Sequence, residues 1–168
     1  MSSIRKQQGF TLVEALVALA VLSIAIVPAY AISASSVDLA FSIKNNVIAS
    51  NLSQEGLEVI RAIRDDNWFN ERPWDTGLLS NCATGCRVQW DSTAILPLDD
   101  NPVLSVDSLN GKYFYALVGI DATPSVFRRR ISINIISATQ LKIESEVTWE
   151  ERGRSKSVKT ESHLLDWK

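Results

Sequence analysis

The sequence predicts an α+β protein in which one long N-terminal helix packs against an antiparallel β-sheet. The first third of the 168 residues is apolar and then amphipathic at helical spacing, whereas the last third alternates apolar and polar residues with the period of a half-buried strand. A sheet with one solvated face needs an apolar partner for its other face, and the amphipathic stretch can supply it. The length and a formal net charge of −2 suit one compact domain plus one membrane-sized segment.

The N-terminus combines a basic segment with a long uncharged one. Residues 1–9 contain Arg5 and Lys6 and no acidic side chain, which is typical of the cytoplasmic flank of a membrane segment. Residues 15–37 carry no charge, and a helix of that length measures about 34 Å, enough to cross the hydrocarbon core of a bilayer. Pro28 lies inside this run and is expected to kink or loosen the helix, because it lacks a backbone donor.

Glu14 is the one acidic residue in the first 37 and lies at the start of the apolar run. A carboxylate inside a membrane helix costs about 2.5 to 3.5 kcal/mol, so such residues tend to have a partner and a function. Two simpler interpretations stay open. Glu14 can merely mark the cytoplasmic edge of an anchor, and residues 1–31 can be a secretory signal that is cleaved after the A-x-A pattern ending at Ala31.

The helical pattern continues beyond residue 36, which disfavours the secretory signal. An apolar stripe at helical spacing predicts a single helix that ends near Arg64 or Asp65. Gly56 lies inside it and is expected to cost about 1 kcal/mol relative to alanine. The stripe consists of Val37, Phe41, Ile43, Val47, Ile48, Leu52, Leu57, Val59, Ile60 and Ile63.

The C-terminal half predicts short strands and turns. Asn110-Gly111, between strands predicted over 103–109 and 112–118, predicts a hairpin with a type I′ turn, which needs positive φ at both residues. Further strands are predicted over 87–90 and 158–167. Two more strands alternate, with one face formed by Phe127, Arg129, Ile131, Ile133 and Ile135, and another by Leu141, Ile143, Ser145, Val147 and Trp149.

Cys82 and Cys86 lie in a loop downstream of an exported leader and are predicted to form a disulfide. The closed loop is short, so the bridge is expected to contribute only about 2 to 3 kcal/mol and to stiffen the loop locally. The nearby aromatic residues Trp68, Phe69 and Trp74 are expected to pack beneath the sheet.

The sequence predicts no catalytic or metal-binding set. His163 has no signalled nucleophile or ligand partner and is expected on a strand surface. Cys82 and Cys86 with one distant histidine are a poor zinc set, and residues 99–101 are expected to form a solvated turn, because no spaced ligands complete a calcium loop. The arginines at 128–130 are expected to alternate between the faces of a strand, which together with the acidic composition argues against DNA as a partner.

The stretch Gly9-Phe10-Thr11-Leu12-Val13-Glu14, followed by Ala15-Leu16-Val17-Ala18, resembles the class III leader of bacterial type IV pilins and pseudopilins. The order of membrane helix, amphipathic half and antiparallel sheet is similar to that family's architecture. Residues 54–68 and the terminal strand ending in Trp167 resemble PilV-like minor pilins. The resemblance implies the type IV pilin fold, with a leader over 1–9, an assembly helix over 10–37, an amphipathic half over 38–66 and an extracytoplasmic domain over 67–168.

The resemblance also implies a maturation step and an assembly contact. A prepilin peptidase/N-methyltransferase would cut between Gly9 and Phe10 and methylate Phe10 as the new N-terminus. Glu14 would then meet the N-terminal amine of an adjacent subunit. Burying either charge alone costs free energy, and the cost falls when the two charges are paired. Pro28 would mark a region that loses helical order in the filament.

The implied protein is a non-enzymatic pilus subunit without a cofactor, and more specifically a minor pilin. Its implied partners are other pilin subunits, the pilus assembly machinery and the cytoplasmic membrane, which it crosses once before it enters the extracellular pilus. Two alternatives stay open. One is a pseudopilin of a type II secretion or DNA-uptake system, and the other is a membrane-anchored or secreted binding protein that uses its N-terminus only as a signal.

Overall fold

The computed structural model describes residues 10–80, 82, 85–115 and 122–167, and this part of the chain contains one helix and seven strands. The predicted leader, with the cleavage residue Gly9, lies outside the described residues, as do the last residues of the strand predicted over 112–118. The fold confirms the predicted α+β class, a long N-terminal helix with an antiparallel sheet as in type IV pilins. The elements are α1 (Leu12–Phe69), β1 (Cys86–Arg87), β2 (Leu96–Pro97), β3 (Val103–Val106), β4 (Tyr113–Phe114), β5 (Thr123–Ser137), β6 (Gln140–Glu151) and β7 (Arg154–Leu165).

The chain divides between Ile43 and Lys44 into two compact units. The first holds the N-terminal part of α1. The second holds the rest of α1 and all seven strands, and its first fully buried helix residue is Ala49. The boundary at residue 38 between the assembly helix and its amphipathic half stays a prediction.

β5 pairs with three other strands, β1, β3 and β6, and all the strand pairs among the described residues are antiparallel. One edge of β5 pairs with β6, which pairs in turn with β7 from Gln140 opposite Leu165 to Glu151 opposite Arg154. The other edge of β5 pairs with β3 near its start and with β1 at Ile131. The three long strands thus form a continuous platform for the helix.

The alternation predicted for β5 and β6 is confirmed with one exception. Ile135 is 65% exposed and lies where the register between the two strands shifts. The remaining residues of the two predicted faces are buried, and one side of the platform is therefore apolar. The buried set is Phe127, Arg129, Ile131, Ile133, Leu141, Ile143, Ser145, Val147 and Trp149.

Gly56 lets α1 approach this platform closely. A Cβ atom at position 56 would lie 2.8 Å from Ile131 Cδ1 and 2.8 Å from Ser145 Oγ, inside normal packing distance. The glycine is therefore a packing requirement, and its poor helix propensity is offset by the close contact. One turn earlier, Ser53 Oγ lies 2.7 Å from Ser145 O and 2.9 Å from Thr160 Oγ1, which fastens the helix to β6 and β7.

Arg129 is fully buried and joins three parts of the fold. Its Nη1 donates to Leu52 O at 2.8 Å and to Glu55 Oε1 at 2.8 Å, both on α1, and its Nη2 donates to Val88 O beside β1. The Tyr115 hydroxyl donates to Arg129 O at 3.0 Å, and burial raises the pKa of Tyr115, although the charge of Arg129 opposes the rise. The arginine run is split between faces as predicted, and its central member is a buried cross-link.

The type I′ turn predicted at Asn110-Gly111 is wrong. Gly111 has a φ of 70° and Asn110 does not adopt positive φ, and the Gly111 N–H donates to Asp107 O at 2.8 Å, which closes a wider loop. The Asp107 carboxylate accepts a hydrogen bond from the Asn110 amide at 2.6 Å and holds this wider form. A two-residue turn with positive φ at both positions instead joins β6 to β7, at Arg152 (54°) and Gly153 (71°).

α1 ends at Phe69, beyond the predicted end near residue 65. Glu71 has a φ of 55°, its N–H donates to Trp68 O at 3.2 Å, and the Arg72 N–H donates to Asn67 O at 2.8 Å. These two bonds form a Schellman motif, which usually places glycine at the left-handed position. Because glutamate occupies that position here, the usual glycine signal for a helix end is missing at residue 71.

The disulfide between Cys82 and Cys86 is confirmed, and it belongs to the hydrophobic core. Both cysteines are buried, and Cys86 pairs with Ile131 through β1. The bridge therefore anchors β1 in the core, whereas the sequence suggested only a stiffened loop. Of the aromatic residues expected beneath the sheet, Trp74 is buried and Phe69 is exposed.

The outer face of β6 and β7 carries a network of ion pairs. Lys142 Nζ lies 3.1 Å from Glu144 and 2.9 Å from Glu161, and Lys159 Nζ lies 2.7 Å from Glu144. The hydrogen bonds from Lys159 and Lys142 hold the pKa of Glu144 below its usual value. His163 lies on the same strand surface, as expected, 3.1 Å from Glu161. Such pairs between exposed groups contribute little to stability and are typical of a solvated face.

Candidate functional site

Thr11 caps the N-terminus of α1. Its Oγ1 accepts a hydrogen bond from the Glu14 N–H at 3.2 Å, and its carbonyl accepts one from the Ala15 N–H at 3.1 Å. Thr11 is therefore the N-cap and Glu14 the third helical residue. The pattern Thr-x-x-Glu is the sequence signature of a capping box, and it predicts a helix start at Leu12.

Glu14 lies in the first turn of the helix, where the helix dipole stabilises a negative charge by about 0.3 to 1 kcal/mol. Its side chain and that of Phe10 are exposed. Within the described part of the chain, Glu14 forms no ion pair.

The N-terminal part of α1 is long and apolar enough to cross a membrane, with an 18-residue window of mean hydropathy 2.5. Its serine hydroxyls bond to the carbonyl one turn back, with Ser23 Oγ 2.7 Å from Leu19 O and Ser35 Oγ 2.7 Å from Ala31 O. Their polar atoms therefore need no water, as a bilayer requires. Length and composition alone would also suit a signal sequence.

Exposed apolar side chains continue past the length that a bilayer needs. About 20 helical residues span the hydrocarbon core, and residues 15–37 already exceed that number. In the next ten residues of the helix, four further large apolar side chains are exposed: Leu39, Phe41, Ile43 and Val47. The predicted amphipathic stripe is fully buried only from Leu52 onward, and Ile48 is partly buried against the same core. Its other members, Val37, Phe41, Ile43 and Val47, are exposed.

Pro28 lies within α1, and the helix continues through it without interruption. Proline cannot donate to the carbonyl of Ile24, so this turn has one backbone bond fewer than its neighbours. The loss of helical order around Pro28 in a filament stays a prediction.

In the described ranges, no group of three or more His, Cys, Asp or Glu side chains is placed to hold a metal ion. The acidic segment at 99–101 forms a bend in which Asp100 and Asn101 have φ of 52° and 42°. Asp99 pairs with Arg87 at 3.6 Å. The candidate functional site is the N-terminal part of α1, which holds Glu14, Pro28 and a series of exposed apolar side chains.

Comparison with known proteins adds one finding about this part of the chain. Residues 4–30 match the family model described as the prokaryotic N-terminal methylation motif. The comparisons with curated proteins and with solved structures give no match. The matched range contains Gly9, Phe10, Glu14 and Pro28. Together with the apolar helix and the α+β fold, this match supports a similarity to subunits of the type IV pilin and pseudopilin type.

Proposed function

We propose that this chain is a structural, non-enzymatic subunit of a type IV pilus, of the minor PilV-like kind. A prepilin peptidase/N-methyltransferase removes residues 1–9 and methylates Phe10. The helix then leaves the cytoplasmic membrane and packs among the helices of other pilin subunits, with the globular unit outside the cell. The observation that carries this proposal is the methylation motif at the head of a 58-residue helix.

Glu14 gives the assembly step its selectivity in this proposal. Cleavage before Phe10 creates a cationic amine at the end of an apolar helix, and Glu14 places a carboxylate one turn further along. Each charge is costly to bury alone, and their mutual attraction in a low-dielectric environment offsets that cost when they meet. A neighbouring subunit that is staggered along the filament axis can bring its amine to Glu14, so the pair favours one axial register.

The exposed apolar residues beyond the membrane-length run support helix packing between subunits. A helix that serves only as a membrane anchor does not require exposed apolar side chains such as Phe41 and Val47 outside the bilayer. In a filament these side chains are buried by other helices, and each fully buried side chain of this size contributes about 1.5 to 3 kcal/mol. The apolar surface of α1 thus matches the needs of assembly better than those of anchoring alone.

The mature N-terminus tests the maturation step. Mass spectrometry of the protein isolated from its own cells is expected to find a chain that begins at N-methylated Phe10. A chain that begins at Ile32 would establish the secretory-signal alternative, and a chain that retains residues 1–9 in assembled filaments would contradict the proposal. Recovery of the processed chain from purified filaments separates a pilus subunit from a membrane-bound one.

A second prediction concerns the exposed helix surface. The double variant Phe41→Ser and Val47→Ser is expected to reduce incorporation into filaments at least tenfold, because the apolar area that neighbouring helices bury is lost. Insertion into the membrane is expected to be unchanged, since residues 15–37 are intact. Immunoblots of sheared filaments and of the membrane fraction measure the two effects.

Leu109→Ser is the matched control for this experiment. Leu109 is 96% exposed but lies in the loop between β3 and β4. Its replacement removes exposed apolar area without touching the helix, and incorporation is expected to stay at the wild-type level. Equal losses in the two variants would refute a specific role for the helix surface.

A further inference from the structure

A cavity of about 300 Å³ lies at the globular unit between the loop after β1 and the β3–β4 hairpin. Three aromatic residues line it, Trp90, Phe114 and Tyr115, together with planar polar groups from Gln89, Asp91 and Asp107. The volume is that of a small-molecule site, and the lining combines apolar surface with a few polar groups that can orient a ligand. We infer that this cavity binds a pyranose ring of a glycan.

Trp90 supplies the surface for stacking. Its side chain is 47% exposed although it is the largest apolar residue in the neighbourhood. One side of a pyranose ring presents C–H groups with little polarity, and an indole face provides wide apolar contact for such a surface at a low cost in conformational entropy. An exposed tryptophan at the wall of a cavity is therefore suited to sugar binding.

The polar groups around Trp90 are held in place before any ligand arrives. The Tyr115 N–H donates to Gln89 Oε1 at 2.9 Å, and Gln89 Nε2 donates to Asp91 Oδ1 at 2.8 Å. The Ser92 N–H closes the loop by donating to Gln89 O at 2.9 Å. These bonds fix the Asp91 carboxylate and leave its second oxygen without a hydrogen bond to any described residue. A carboxylate in this state accepts hydrogen bonds from sugar hydroxyls.

The opposite loop adds a second fixed acceptor and a donor. Asp107 accepts from the Leu109 N–H at 2.8 Å and from the Asn110 amide at 2.6 Å, and each carboxylate oxygen keeps a further acceptor site. Lys112 Nζ lies over the face of the Trp90 ring, 3.7 Å from its centroid, so a sugar that stacks on this face has to displace the ammonium from the ring. Its flexible ammonium supplies donors to ring and hydroxyl oxygens, and it can pair with the carboxylate of an acidic sugar. Two carboxylate acceptors and one flexible donor thus lie next to one aromatic ring.

Saturation-transfer NMR on the full-length chain in a polyoxyethylene detergent, which has no sugar headgroup, tests the inference. The probes are methyl β-D-glucopyranoside, methyl β-D-galactopyranoside and N-acetylneuraminic acid at about 10 mM, so that weak millimolar binding is detected. At least one probe is expected to receive saturation. Binding is expected to weaken at least tenfold in Trp90→Ala and in Asp91→Ala, of which the second changes only an exposed loop side chain.

Trp167→Phe is the control, because Trp167 is an exposed tryptophan that packs against Trp68, outside the cavity lining. It is expected to bind as the wild type does. The inference is overturned if no probe receives saturation, if binding persists in both cavity variants, or if tetramethylammonium binds where the sugars do not, since the last result would indicate a simple cation site on Trp90. Pilus assembly has no part in this measurement, so a negative result leaves the proposed function unaffected.

Discussion

Replacing Glu14 with glutamine is expected to lower incorporation of the chain into filaments at least tenfold, while removal of residues 1–9 proceeds normally. The amide has the shape of the carboxylate but cannot neutralise the amine at Phe10, and removal of one partner from a buried ion pair costs about 3 to 5 kcal/mol. Immunoblots of sheared filaments measure incorporation. Mass spectrometry of the membrane fraction measures leader removal.

Thr11→Ala is the control that separates charge from helix capping. It removes the Oγ1 that caps the Glu14 N–H, at a cost of about 1 kcal/mol, and leaves the carboxylate in place. Incorporation of this variant is expected to stay close to wild type. Glu14→Asp keeps the charge on a shorter side chain, and its incorporation is expected to lie between that of Glu14→Gln and that of Thr11→Ala. Wild-type incorporation of the glutamine variant would sink the pairing hypothesis, and equal loss in Thr11→Ala would assign the effect to the cap.

The fold class could be predicted because the long elements carry their own periodicity. The stripe on α1 repeats at helical spacing, and β5 and β6 alternate strictly, so the two apolar faces that must meet are visible in the sequence. The ends of the elements depend on single residues. Thr11 and Glu14 form a recognisable capping pattern at the start of α1. Its end depends on Glu71 in a left-handed conformation, a position at which glycine is usually expected.

The prediction of turn type from the sequence failed where a side-chain hydrogen bond competes with the backbone preference of the turn residues. Asn110-Gly111 has the strongest two-residue turn signal in the chain, yet Asp107 bonds to the Asn110 amide and holds a wider loop. Arg152-Gly153 has a weaker signal and adopts the tight turn, since the long ladder between β6 and β7 fixes its register.

The candidate site is local and was therefore predictable in part. Gly9 to Glu14 form one contiguous motif, and the match to residues 4–30 includes this segment. The exposure of Phe41 and Val47 was not predictable, because a stripe of apolar residues does not say which of its members a sheet covers. The importance of Gly56 and Arg129 likewise depends on what lies opposite them, which only the fold determines.

Arg129→Ala is expected to lower the free energy of unfolding of the globular unit by about 3 to 5 kcal/mol. The change leaves a cavity in a fully buried position and removes the donors that bond to Leu52 O and Val88 O, and a buried carbonyl without its donor costs about 1 to 3 kcal/mol. Such a loss is a large fraction of the stability of an ordinary domain. Urea unfolding of the full-length chain in detergent, followed by tryptophan fluorescence, measures it.

Glu55→Gln shows which contacts of Arg129 matter. The Glu55 side chain is 31% exposed, so water screens its ion pair with Arg129, and loss of that charge is expected to cost about 1 kcal/mol or less. Arg129→Lys keeps the charge but cannot reach two carbonyls and a carboxylate at once. Its free energy of unfolding is therefore expected to be closer to that of Arg129→Ala than to that of the wild type. If the glutamine variant were as unstable as Arg129→Ala, the ion pair would be the main contribution. If Arg129→Lys were as stable as wild type, the fork of donors that joins α1 to β1 would have no special role.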